Sequence, residues 1–121
     1  TVRLRDCAAY PVALPERSIG GRQLLEEVLA RSRISFQLAA ESNSFELLRG
    51  LVLEAGLISF QIRIGTMPSG NKLGLVARDI DDRDVPRANL VLGQLRSRNL
   101  PIPAAVFAER LARALEAMRE R

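Results

Sequence analysis

Three short stretches in the first half of the chain have the apolar pattern of β-strands. Residues 12–14 form an apolar run between two prolines, which is typical of a short buried strand. Ile34, Phe36 and Leu38 alternate with polar residues, and residues 58–64 alternate with a strict period of two. The sequence therefore predicts strands at residues 12–14, 34–40 and 58–64.

Amphipathic helices are predicted between these strands. From Arg22 the apolar period becomes helical, and we expect Ser18 to cap this helix. In the second helix Asn43 is a favourable N-cap residue and Glu46 follows at capping-box spacing, while Gly56 can end the helix in the left-handed conformation. The predicted buried faces are Leu24, Leu25, Val28 and Leu29 in the first helix, and Leu47, Leu48, Leu51, Val52 and Ala55 in the second.

The order of these elements predicts an α/β fold. A strand–helix–strand–helix–strand series favours parallel strands joined by right-handed crossovers, that is, a three-layer βαβαβ core. Residues 73–80 and 88–96 also have strand-like patterns, with a polar turn between them. A last helix follows residues 100–105, and its apolar stripe is Phe107, Leu111, Leu115 and Met118.

Composition excludes several classes of function. The chain has 121 residues, which suits one domain, and it has no histidine, which removes His-based nucleophile pairs and most zinc sites. We therefore expect no catalytic residues, no metal and no cofactor. A single cysteine and the lack of a long apolar segment or signal-peptide pattern lead us to expect a cytoplasmic protein that is not membrane-bound.

The positive charge leaves a nucleic-acid partner open. The formal net charge is +4, but the arginines are scattered, with residues 31–33 and 96–98 as the densest patches. Because clustering is the mark of a phosphate-binding face, we favour solvated side chains. A basic α/β module that binds nucleic acid remains the alternative.

Four local motifs carry less weight. Residues 63–73 resemble a Walker A loop, but Lys72 is out of register and a predicted strand follows, so we interpret them as a turn built on Pro68 and Gly70. Residues 79–84 lack the glycine and glutamate of a calcium loop and are interpreted as a solvated turn. Cys7 is interpreted as a half-buried small side chain, and Glu26 and Glu27 as solvent-facing.

Two predicted helix N-termini follow strands, at residues 18–22 and 42–44. In an open parallel sheet both lie at the carboxyl ends of the strands, where ligands bind. Free N–H groups there suit a carboxylate or another small anion, Arg17 or Arg22 could add charge, and Gln61 could project to the same edge. The alternative is that the serines only cap their helices, and the residues alone do not decide between the two.

The motifs along the chain resemble the effector-binding domain of LysR-type transcriptional regulators. The matching segments are, in order, "DCAAYPVALPE", "ESNSFELLRGLVLEAGLISFQ", "KLGLVARDI" and "NLVLGQLRSRNLPIPAAVFAERL". The resemblance implies a fold like a periplasmic binding protein, in which two α/β subdomains enclose a small co-inducer. Residues 8–88 would be subdomain II, and residues 89–121 a strand and helix that return toward subdomain I.

The resemblance also implies a site and partners. The implied co-inducer contacts are Ser18, Ile19, Gly20, Ser42, Asn43, Phe60 and Gln61, and the charge argument adds Arg22. The DNA-binding winged helix-turn-helix and most of subdomain I are not in this sequence. We expect the uncovered apolar faces to make the chain a homo-oligomer.

Overall fold

The computed structural model describes residues 1–65 and 74–119. It divides into two compact units, Thr1–Arg87 and Ala88–Arg121. The first unit contains all of the sheet, and the second contains one long helix. The elements are α1 (Leu4–Cys7), β1 (Pro11–Pro15), α2 (Gly20–Ser32), β2 (Gln37–Ser42), α3 (Phe45–Ala55), β3 (Ile58–Ser59), a 3-10 turn (Arg63–Gly65) and α4 (Ile102–Arg119).

The sheet has three parallel strands in the order β2-β1-β3. This confirms the βαβαβ prediction, because α2 and α3 each connect two parallel strands of one sheet. β1 is the central strand, and its Val12, Ala13 and Leu14 are buried, as a strand covered on both faces requires. The mixed α/β class predicted from the sequence is therefore confirmed.

A bulge interrupts the pairing of β1 with β2. Val12 pairs with Leu38, but the next residue, Ala13, pairs with Ala40, so Ala39 is an extra residue in β2. Paired residues of a parallel ladder point to the same face. Leu38, opposite Val12, and Glu41, opposite Leu14, therefore both face the side on which α2 lies.

The main core lies between α2 and the sheet. It consists of the buried side chains of Leu4, Val12, Leu14, Leu25 and Val28. Partly buried neighbours complete it, and among them the rings of Phe36 and Phe60 stack with their centroids 5.2 Å apart. The opposite face of the sheet is covered by α3, which packs against all three strands and buries Leu48 completely.

Both predicted N-caps are wrong by one residue. The N-cap of α2 is Ile19, without a side-chain cap bond, and not Ser18. The N-cap of α3 is Ser44, whose Oγ accepts from the N–H of Leu47, and not Asn43. Because a cap depends on which residue leaves the helical conformation first, two adjacent polar residues cannot be separated by pattern alone.

The C-terminus and the apolar face of α3 were predicted with mixed success. Gly56 ends the helix with φ of 66°, in the left-handed region, as expected. Leu47 was predicted to be buried but is 54% exposed, and Ala55 is also exposed. The stripe is narrower than predicted because α3 contacts the sheet along one line centred on Leu48.

Several predicted strands are shifted, shortened or missing. The second strand begins at Gln37 and not at residue 34, and the third ends at Ser59 before the 3-10 turn. Residues 74–79 and 88–96 are not strands, and residue 73 lies outside the described residues. An alternating pattern forms a strand only where a neighbouring strand can take its hydrogen bonds, and the described chain provides only a single bridge, between Val2 and Ile80.

The acidic turn before residue 87 is tied to the N-terminal segment. Arg3 donates from Nε and Nη2 to the Asp84 carboxylate at 2.8 and 2.6 Å, and the Leu4 N–H donates to the same carboxylate at 2.7 Å. The Asp84 side chain is only 13% exposed, so the prediction of a solvated turn is wrong for this residue. The paired Arg3 and the Leu4 N–H lower the pKa of Asp84 to about 2.

The second unit presents an amphipathic helix. In α4, Leu111 and Leu115 are half-buried, whereas Phe107 and Met118 are exposed. The predicted stripe is thus present in the sequence of α4, but it is only partly covered.

Candidate functional site

The carboxyl ends of the three parallel strands meet at one edge of the sheet, which we name the rim. Pro15 at the end of β1 pairs with Ser42 at the end of β2, and Ser59 at the end of β3 lies opposite Ala13. The segment after β1 is tied to β2 because the N–H of Glu16 donates to the Ser42 carbonyl at 3.1 Å. The rim is therefore built from the residues that immediately follow each strand.

The first turn of α2 offers backbone donors at the rim. The N–H groups of Arg22 and Gln23 donate to the Ile19 carbonyl, at 2.9 and 3.3 Å. The amides of Gly20 and Gly21 precede them and have no acceptor in the part of the chain that the structure describes. Two adjacent N–H groups at a helix N-terminus favour an anion.

The segment after β3 reaches the same helix start. A Cβ atom on Gly21 would lie 3.4 Å from Cγ2 of Ile62, so the Ile62 side chain lies next to the helix start. Gln61 is half-buried and its Oε1 lies beside Gly65. Phe60 places its ring in the α2-side core, where it stacks on Phe36, and so it can offer the rim mainly its backbone.

The hydroxyls of Ser42 and Ser44, which precede α3, accept hydrogen bonds from backbone N–H groups of the protein itself. Ser42 is buried, and its Oγ accepts from the N–H of Ser44 at 3.0 Å. Ser44 in turn accepts from the N–H of Leu47 at 3.3 Å. The Ser42 hydroxyl can still donate its proton, whereas Asn43 is exposed beside it.

Arg22 is buried and surrounded by acceptors. Its side chain is 3% exposed, and its Nη1 donates to the Pro15 carbonyl and to Oε2 of Glu41, both at 2.8 Å. Its Nε and Nη2 both lie 2.6 Å from Oε1 of Glu26. Burial opposes the charged form, but the two carboxylates outweigh it and raise the pKa of Arg22.

The open surface next to these residues is shallow. A depression of about 410 Å³ lies at the start of α2, and a second of about 540 Å³ runs between α2 and β2. The first is lined by Arg17, Arg22, Gln23, Glu26 and Glu27. Neither depression is lined by Ser42, Asn43 or Gln61, so the eight predicted contacts share the rim but not one cavity.

The other motifs give no second site. Within residues 1–65 and 74–119, no group of three potential ligand side chains could hold a metal ion. Cys7 is half-buried as predicted, and burial, together with the nearby Asp6, raises the pKa of its thiol. Most of the loop that resembles Walker A, residues 66–73, lies outside the described residues.

Sequence analysis missed two residues that shape this region. Glu41 reaches Arg22 only because of the bulge at Ala39, and nothing in the local pattern indicates a bulge. Glu26 was interpreted as solvent-facing, yet it is half-buried against Arg22. Its spacing of four residues from Arg22 on one helix was a usable signal.

Comparison with known proteins gives a family for the chain. A family model described as the LysR substrate binding domain matches residues 1–116. Comparison with curated proteins and with solved structures found no match. In the described part of the chain, no helix is long and apolar enough to cross a membrane.

Proposed function

The chain belongs to the LysR substrate-binding domain family, and we propose that it binds a small anionic co-inducer at the rim. Members of this family are the sensory part of transcription regulators, so the domain has a ligand-sensing, regulatory role and is generally not an enzyme. The proposal concerns the kind of ligand, the residues that contact it and the effect on DNA binding.

One observation carries the proposal. The Gly20 and Gly21 amides lie at the carboxyl end of the central strand and have no acceptor among the described residues. Ligands of open parallel sheets bind at this end, and N–H groups at a helix start favour negative charge. A carboxylate placed there would accept from both amides.

The remaining predicted contacts would surround such an anion. Ser18 and Ile19 precede the two amides, and Ser42 can donate its hydroxyl proton from the neighbouring strand end. The other proposed contacts are the Asn43 side chain, the Phe60 backbone and the Gln61 amide, whereas the buried Arg22 is paired with Glu26 and Glu41 and would act behind them. Specificity would come from these polar groups, because few apolar side chains line the start of α2.

We also propose the place of this chain in the intact regulator. Residues 8–88 would form subdomain II, and residues 89–121 would return to subdomain I, with the DNA-binding winged helix-turn-helix in a part of the protein outside this sequence. A co-inducer between the subdomains would change DNA binding only as far as it prefers one arrangement over the other.

Self-association belongs to the same proposal. Leu38 on the edge strand and Phe107 and Met118 on α4 expose apolar surface that the described residues leave uncovered. Light scattering at micromolar concentration should therefore give a mass above that of the monomer. A monomer at these concentrations would contradict this part of the proposal.

Thermal shift with simple carboxylates tests the site. Acetate, succinate and citrate should raise the melting temperature, and the gain should fall in Ser42→Ala and Gln61→Ala. Matched controls are Ser35→Ala and Gln37→Ala, because both residues are exposed and lie away from the rim, Gln37 at the start of β2 and Ser35 two residues before it. Equal gains in all four variants would place the anion elsewhere, and no gain in the unmodified protein would reject small carboxylates as the class.

The alternative is a module that binds nucleic acid. Many arginines pair with carboxylates, which lowers the positive charge left for phosphates. The paired arginines are Arg3, Arg5, Arg22, Arg49, Arg83, Arg87 and Arg113. The alternative predicts that this chain alone binds duplex DNA with an affinity that falls steeply as salt rises. The sensor proposal predicts no such binding.

A further inference from the structure

The cluster of the buried Arg22 with the partly exposed Glu26 and Glu41 joins three parts of the rim. Arg22 stands in the first turn of α2, the Pro15 carbonyl ends β1, and Glu41 stands near the end of β2. All of these contacts are between 2.6 and 2.8 Å, and the guanidinium is nearly inaccessible to solvent. One side chain thus fixes the start of α2 relative to two strand ends.

The bulge in β2 makes this cluster possible. If β2 paired with β1 without a bulge, Ala39 would stand opposite Ala13 and Glu41 opposite Pro15, so Glu41 would face α3. With it, Glu41 stands opposite Leu14 on the α2 side, within reach of Arg22. Bulges that aim a side chain in this way are common beside functional sites.

Few other contacts hold the segment between β1 and α2. The N-cap Ile19 has no side-chain cap bond, and two backbone bonds hold the segment: the Glu16 N–H donates to the Ser42 carbonyl, and the Ile19 N–H donates to the Glu16 carbonyl at 3.0 Å. The remaining side-chain tie in the described chain runs from Nε2 of Gln23 to the Arg17 carbonyl, at an exposed 3.3 Å. The Arg22 cluster is therefore the main side-chain restraint on this segment.

Arg22 is poorly suited to contact a ligand directly. Its guanidinium is buried, and the two carboxylates around it more than cancel its charge. A buried ion pair is weak support for stability, since apolar side chains can serve as well, but it fixes geometry. An anion at the rim would then depend on the Gly20 and Gly21 amides, whose position Arg22 sets.

We propose that Arg22 and Glu41 are positioning residues that hold residues 16–21 so that the Gly20 and Gly21 amides point into the rim. The inference rests on the proposed function, because it assigns a ligand role to those amides. The inference goes beyond the proposed function because Glu41 would affect ligand affinity although it does not contact the ligand.

Amide hydrogen exchange on the ¹⁵N-labelled chain tests the positioning. Glu41→Gln should speed exchange of the Ile19, Arg22 and Gln23 amides by about tenfold, which corresponds to about 1.4 kcal/mol. Exchange of the Leu48 amide should change by less than about twofold. The control is Glu46→Gln, which removes a carboxylate paired with Arg49 on the exposed side of α3 and should change neither group.

Titration with succinate, followed by the Gly20 and Gly21 resonances, separates this inference from the proposed function. In Glu41→Gln the Kd for succinate should rise by about tenfold, and in Glu46→Gln it should not change. Unchanged exchange at α2, equal acceleration at Leu48, or an unchanged Kd would each overturn the positioning role. If succinate leaves the resonances of the unmodified protein unchanged, the anion site fails.

If Glu41→Gln does not fold, the variant Arg22→Lys tests the same positioning role. Arg22→Lys keeps the positive charge but cannot reach Pro15, Glu26 and Glu41 at once, because an ammonium lacks the planar fork of a guanidinium. It should show the same selective exchange and the same rise in Kd. Behaviour like that of the unmodified protein would overturn the proposal.

Discussion

Leu48 anchors α3 to the sheet, and its removal should be far more costly than removal of the leucine next to it. Leu48 is 0% exposed, whereas Leu47 is 54% exposed. Leu48→Ala and Leu47→Ala make the same chemical change at adjacent positions of one helix. The pair therefore isolates burial from helix propensity.

The expected magnitudes follow from burial. Truncation of a buried leucine loses its transfer free energy and leaves a cavity, and typical losses are about 2–5 kcal/mol. We expect about 2–4 kcal/mol for Leu48→Ala, because half-buried neighbours in α3 allow some collapse around the site. Leu47 buries only about half of its side chain, and alanine is the better helix former, so its loss should be below about 1 kcal/mol.

Urea unfolding followed by circular dichroism measures both values. The slope with urea should be the same in the two variants, and the midpoint should fall by about 1–3 M for Leu48→Ala. Similar losses for the two variants would refute the assignment of Leu48 as the anchor. A larger loss for Leu47→Ala would mean that the α3 face is rotated relative to the structure.

Three further changes test single features of the fold. Ser44→Ala should cost about 1 kcal/mol of unfolding free energy because it removes the cap of α3, whereas Asn43→Ala should cost less than about 0.5 kcal/mol; equal losses would contradict the cap assignment. Gly56→Ala should cost about 1 kcal/mol in the same urea assay, because φ is 66° and alanine is strained there, and an unchanged or higher midpoint would refute it. The pKa of Asp84 is lowered by Arg3, so the carboxylate stabilises the protein above its unfolded pKa of about 3.9, and this stabilisation is lost as pH falls toward about 2. Asp84→Asn should thus weaken the pH dependence of the melting temperature between pH 4 and pH 2, and an identical dependence in the two proteins would exclude the pair as its source.

The periodicity of apolar residues predicted the three-stranded sheet, but not the exact bounds of its strands. The three apolar segments became three parallel strands, because α2 and α3 connect them and each strand has a neighbour to pair with. Residues 74–79 and 88–96 have equally good patterns but form no strands. Periodicity describes which side chains can be buried together, whereas a strand also requires a partner for its backbone.

For the candidate site, too, the general position could be predicted from the sequence but the detailed contacts could not. That residues 18–22, 42–44 and 60–61 meet at one edge could be inferred, since parallel strands bring their carboxyl ends together. The burial and pairing of Arg22 could not be inferred. They depend on the Glu41 carboxylate of β2, which faces Arg22 only because of the bulge in that strand. The Arg3–Asp84 pair joins residues far apart in sequence and left no local signal.

The extra residue in β2 also bears on how the protein behaves at high concentration. Among the described residues, β2 is an edge strand with no partner on its outer side, and its Leu38 is 47% exposed. A regular edge of this kind is a template on which other chains can add strands and begin to aggregate. An irregular edge cannot match such an incoming strand along its full length. The bulge at Ala39, which turns Glu41 toward Arg22, therefore also protects the exposed apolar edge of β2 against fibril formation.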